Sequence, residues 1–261
     1  MEVRKLFSGI AVIIDNEVDE KETPIYKIRK NIVKSNIPVV AYNNIPSAKI
    51  VESFKNVSFI ILDWNFLDEP ICEADEALKG LIGASELKNQ KQEELIDFIK
   101  LLLNELFVPI FVFSGVDISE VEDILSEKGL YNKGKANRIF IKSKSEVDSE
   151  EQLFQSIEEW LMKMPSIYAM KEWDNVFQKT KNKMFREWYQ YAPQWVSVIW
   201  NMLKEDSSEV QDEFGEFLTR NIINRIPAFH FEEDLFALEG KSGIEELRKV
   251  IERERYIEYS E

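Results

Sequence analysis

Five short apolar runs, each followed by a segment of helical period, restrict what this chain can fold into more than any other feature. The runs are "GIAVII" (9–14), "PVVAY" (38–42), "VSFIILDW" (57–64), "VPIFVFSG" (108–115) and "NRIFIKS" (137–143). They are rich in Val, Ile and Phe and show no polar alternation, as expected of strands covered on both faces. The intervening segments carry helix punctuation. Thr23 and Pro24 open "TPIYKIRKNIVKS", where Ile25, Ile28 and Ile32 share one face. "SAKIVESFKN" (47–56) and "QKQEELIDFIKLLLNEL" (90–106) also have helical period. Asp117 and Glu120 form a capping pattern before a helix closed by Gly129, and "DSEEQLFQSIEEWLMKM" (148–164) runs to Pro165. Strand and helix alternating in this way specify βαβ units with right-handed crossovers, hence an α/β, doubly wound, five-stranded parallel sheet. We assign it to residues 1–164, with the ordered part at about 5–164.

After Pro165 the pattern changes. Residues 165–261 are aromatic-rich and helical in period, with Pro193 as a break and further helix starts at Ser208 and Ser242. They read as an all-α C-terminal domain. The chain stops within or just after a helix, which leaves room for a longer parent protein. Trp173, Phe177, Trp188, Tyr189, Tyr191, Trp195 and Trp200 are first of all a helical core; any surplus marks a protein-contact surface. His230, the single histidine, reads as a partly buried structural residue, since a metal or proton-shuttle role wants a partner.

Composition excludes several function classes. The net charge of −15 argues against a surface that tracks nucleic-acid phosphates, and no Lys/Arg-rich block stands out. Cys72 is the only cysteine, so neither an intrachain disulfide nor a cysteine metal cluster is available, as suits a reducing cytosol. The apolar stretch near the start is short and lacks a cleavage pattern, and no run is long enough to span a bilayer. The expectation is a soluble cytoplasmic protein.

In an open α/β sheet, ligands bind outside the carboxyl ends of the strands, near the switch point. Strand one ends in Asp15-Asn16-Glu17, strand three in Asp63-Trp64-Asn65, strand four in Ser114-Gly115 and strand five in Lys142, with Lys144 as a competing register. The fold thus brings two or three carboxylates, a hydroxyl and an ammonium to one edge. A carboxylate there can attack phosphorus. A hard divalent cation on neighbouring oxygens offsets the repulsion, and a lysine pairs with the phosphoryl oxygens.

This ordered set resembles the receiver domain of two-component response regulators, a flavodoxin-like fold, over the first three-fifths of the chain. The resemblance implies that Asp63 accepts a phosphoryl group from a sensor histidine kinase. It implies that Asp15, Asn16, Asp63 and the backbone carbonyl of Asn65 hold Mg²⁺, that Ser114 is the switch hydroxyl, and that Lys142 pairs with the phosphate. It also implies a phosphoacceptor rather than an enzyme, acting on a protein partner or on self-association through the helical domain. The sequence departs from the family in four places. Asn16 stands where a second acid is usual, with Glu17 as a stand-in. Ser143 replaces a proline after Lys142. Ile139 replaces the switch aromatic, with Phe140 beside it. The stretch between Asp63 and Ser114 is about 20 residues longer than usual, which suggests an extra helix or flap near 66–88. A pseudo-receiver, keeping the fold as a protein-interaction scaffold without phosphoryl chemistry, is the alternative. An aspartyl-nucleophile phosphatase ranks last, because Asn65 occupies the place of its second aspartate.

Overall fold

A computed structural model describes residues 3–64, 84–134, 136–206, 210–229 and 247–252. The five apolar runs are strands: β1 Ile10–Ile14, β2 Val39–Tyr42, β3 Val57–Asp63, β4 Ile110–Ser114 and β5 Ile139–Ser143. They form one all-parallel sheet in the order β2-β1-β3-β4-β5. The chain steps outward from β1 to β2, then returns past β1 to β3, so the order reverses between β1 and β3.

Helices cover both faces. A short α1 (Val3–Leu6), which the periodicity did not reveal, precedes β1, and α2 (Pro24–Lys34) and α6 (Glu150–Met162) lie on the same face. On the opposite face are α3 (Ala48–Val51) with the 3₁₀ turn Glu52–Asn56, α4 (Ala84–Glu105) and α5 (Ile118–Glu127). The strand period of two divides the core between these layers. Phe59 and Ile61 of β3 pack with α2 and α6, whereas Ile60 and Leu62 pack with α4 and α5. On the first face Phe111 is the hub, with the rings of Phe7, Phe59, Phe113, Phe140 and Trp160 centred 5.3 to 6.4 Å from its own.

The punctuation residues work as their chemistry requires. The Thr23 hydroxyl accepts the Tyr26 N–H at 3.3 Å, and Asp117 accepts the Ser119 N–H at 2.9 Å. Ser149 and Gln152 form a reciprocal capping box. Gly129 takes φ +71°, a left-handed C-terminal stop that favours glycine.

Beyond α6 the described residues to 223 are helical: α7 Pro165–Tyr191, α8 Trp195–Asp206 and α9 Val210–Ile223. Pro165 both ends α6 and occupies the first turn of α7. The residue before Pro193, Ala192, is extended, which stops α7. Rings of Phe185, Trp188, Trp195, Trp200, Phe214 and Phe217 interleave α7, α8 and α9, with centroids 5.0 to 6.4 Å apart. Of the seven aromatics singled out from sequence, Trp188, Trp195 and Trp200 are half-buried in this ring cluster and Phe177 stacks on Trp173, whereas Trp173, Tyr189 and Tyr191 are exposed. The first turns of α7 belong to the sheet layer: Ile167 joins the core beside α6, and the Asn175 amide donates to the Leu6 carbonyl at 2.8 Å. The change of composition at Pro165 therefore comes before the chain leaves the sheet layer, and the compact unit runs from Met1 to Pro227. Residues 228–261 form a second unit, in which 247–252 are helical. Among the described residues, no helix is long and apolar enough to cross a membrane.

Candidate functional site

The site lies where the strand order reverses. Asp15 follows β1 directly, Asp63 is the last residue of β3, and Ile14 pairs with Leu62 in the ladder, so the two aspartates leave neighbouring strands at one level. The buried strand residues before them hold both carboxylates in place. Each is itself buried, and a buried carboxylate persists as an anion only with a charge or hydrogen-bond partner.

Lys144 is the partner. Its Nζ lies 3.1 Å from Asp15 Oδ2 and 3.0 Å from Asp63 Oδ1, bridging the two strands. Asp15 Oδ1 also accepts the Glu17 N–H at 2.8 Å. Burial by itself would lower the Lys144 pKa, but the charges of Asp63 and Asp15 and their hydrogen bonds outweigh it and raise it. The ammonium is therefore fixed as a cation.

Lys142, favoured from sequence, is elsewhere. It pairs in register with Phe113, is 29% exposed at its side chain, and places Nζ 3.3 Å from Glu146 Oε1. The reason is local. Ser143 caps a 3₁₀ turn, Lys144–Glu146, with a capping box whose Glu146 carboxylate also takes Lys142. The turn carries Lys144 past the strand end and back over the sheet edge. The competing register in the sequence was the signal for it.

Ser114 ends β4, next to the Phe113 that pairs with Asp63, and is fully buried. Its Oγ accepts the Val116 N–H at 3.0 Å. Asn16 follows Asp15, and its Oδ1 is buried without a hydrogen-bond partner. Asn65, the 66–83 part of the expected flap, and His230 lie outside the described residues, and 84–88 belong to α4.

Asp15 and Asp63 supply hard oxygen donors of the kind that suits Mg²⁺, and Asn16, next in the chain after Asp15, carries an amide oxygen without a hydrogen-bond partner. That ion typically takes one or two carboxylates and completes its shell with water and substrate phosphate. Among the described residues, no group of three or more His, Cys, Asp or Glu side chains is placed to hold a metal. The arrangement presents a carboxylate oxygen of Asp63 beside the Lys144 ammonium, with the Asp15 carboxylate on the other side of that ammonium. No protein-family model matches this chain, and a search of curated proteins returns no match.

Proposed function

We propose that this protein is a response-regulator-like phosphoacceptor in which Asp63 takes a phosphoryl group from a partner histidine kinase. One observation carries the reading: two buried carboxylates from adjacent strands at the switch point share a single buried ammonium. Such a cluster is held charged at a cost in desolvation, and that cost is common where charge is used.

In the reaction, an Asp63 oxygen forms a bond to phosphorus as the P–N bond of a phosphohistidine breaks, and the leaving imidazole keeps its electron pair and takes a proton. Lys144, in place of Lys142, moves its contact from the Asp63 carboxylate to a phosphoryl oxygen. The Ser114 hydroxyl turns from its own loop to donate to a second phosphoryl oxygen. Asp15, Asn16 and Asp63 would hold Mg²⁺, with the Asn65 carbonyl as the further ligand that the resemblance to receiver domains implies. When bound, the ion neutralises negative charge between nucleophile and phosphate. Moving the Ser114 loop and the Lys144 turn alters the surface next to α5 and β5, and the helices from Pro165 onward carry the output to a protein partner or a second copy.

The pseudo-receiver has one observation in its favour: the Lys144 bridge already compensates the carboxylates, and no third acid joins them among the described residues. The test is to incubate the full chain with Mg²⁺ and acetyl phosphate and measure intact mass. The expected result is one added phosphoryl group that is absent without Mg²⁺ and absent in Asp63→Asn. An unchanged mass, or an adduct that persists in Asp63→Asn, leaves the scaffold reading standing.

A further inference from the structure

The opposite, amino-terminal edge of the sheet carries a second buried lysine that the reading above does not use. Lys171 of α7 is 2% exposed and donates to the backbone carbonyl of Ser58, at the start of β3, at 3.2 Å. Its nearest carboxylate, Asp174, stays 3.8 Å away, beyond hydrogen-bond length, and the Phe7 ring centre is 5.9 Å from Nζ. An ammonium has three donors, so this one is buried with its hydrogen bonding incomplete. Burial accordingly lowers its pKa, and Asp174 only partly compensates.

A second, independent group is incomplete at the same place. The Ser58 hydroxyl, on a residue 3% exposed, has no hydrogen-bond partner. Both side chains line a cavity of about 530 Å³, within the range of about 300–1,000 Å³ usual for small-molecule sites. Gly9 lines it too, at φ +128°, where a Cβ would come within 3.2 Å of Ser58 Cβ. Glycine at this point keeps the backbone close to the serine and the space open. Lys5, Lys179 and Lys181 complete a lining in which four lysines face one aspartate, on a chain of net charge −15. Such a local reversal of sign focuses anions. The lining holds no arginine fork to select a planar carboxylate; lysines supply the point charges that suit a phosphate.

We propose that this cavity binds a small phosphomonoester, with Lys171 as the buried charge partner and Ser58 as a hydroxyl donor to the phosphate. It is independent of Asp63, which lies at the other end of the same strand.

The test is isothermal titration of the full chain at low salt with glycerol 3-phosphate, inorganic phosphate and succinate. Both phosphates are expected to bind at one site, and succinate more weakly. Lys171→Met should weaken phosphate binding by about tenfold or more, and Ser58→Ala by about threefold to tenfold. Asp63→Asn should bind as the parent does. Ser58→Ala removes a hydroxyl with no partner, so it decides the matter even if Lys171→Met fails to fold. Failure of both phosphates to bind, succinate binding as tightly as phosphate, or affinity unchanged in Ser58→Ala would each overturn the proposal.

Discussion

The two edges of this sheet each bury a lysine, and the two lysines are in opposite electrostatic states. At the carboxyl edge, Lys144 sits 3.0 and 3.1 Å from two buried carboxylates, and its pKa is raised. At the amino edge, Lys171 has one carbonyl at 3.2 Å and a carboxylate only at 3.8 Å, and its pKa is lowered. Burial pushes both down, and the count and closeness of carboxylates decide the outcome. The comparison teaches that a buried charge becomes informative only once its partners are counted. Lys144 is compensated by two carboxylates at hydrogen-bond distance, whereas Lys171 has a single carboxylate beyond that distance.

The largest effect that this contrast predicts is on Lys144→Met. It strands two carboxylates in the interior and should cost about 3–5 kcal/mol of unfolding free energy, read from urea midpoints near neutral pH. Lys142→Met, which removes a surface pair, should cost under about 1 kcal/mol. Equal losses in the two variants would break the contrast. Next comes the anchor of α7 on the amino edge. Asn175→Ala deletes the amide that donates to the Leu6 carbonyl at 2.8 Å and should cost about 1 kcal/mol. Lys171→Met should cost less than Asn175→Ala in the same assay, because removing an under-compensated buried cation relieves a desolvation penalty. A loss as large as that for Lys144→Met would show the amino-edge lysine to be equally well paired.

The smallest effect is the pH dependence, and its sign separates the two lysines. The folded pKa of Lys144 lies above its ordinary value of 10.5. Its stabilisation is therefore complete below 10.5 and is lost as pH rises through the raised value. For Lys171 the folded pKa lies below 10.5. Between that value and 10.5 the unfolded chain holds more of this proton, so the residue's contribution to stability rises with pH. Urea midpoints of the parent minus those of Lys171→Met should therefore move in favour of the parent from neutral to alkaline pH. The corresponding difference for Lys144→Met should hold constant there, then shrink at the most alkaline end.

Much of the fold was legible because the signals are local. A strand buried on both faces needs an unbroken apolar run, and β1, β3 and β4 are written that way. Thr23, Asp117, Ser149, Gly129 and Pro193 act on backbone groups a few residues away, so their spacing alone marks the ends of elements. Parallel strands place their carboxyl ends at one edge, which is why Asp15, Asp63 and Ser114 stand out in the sequence. The four-residue α1 was too short to show a period. Lys171 was legible only as one more polar residue on α7, although it stands one helical turn after Ile167, on the face that enters the core.

By itself, then, the sequence determined the elements, the parallel order of chemistry along one edge, and the presence of a carboxylate pair. The tertiary structure alone decided which lysine serves that pair and what the aromatic-rich helices enclose. Elements follow from interactions within a few residues. The direction of a side chain past a strand end depends on the turn that follows. Here a capping box, whose glutamate also takes Lys142, swings Lys144 onto two carboxylates that lie 129 and 81 residues away in the chain. Such a partnership has no period or spacing to read, because only the packed sheet brings its members within 3 Å or so of one another.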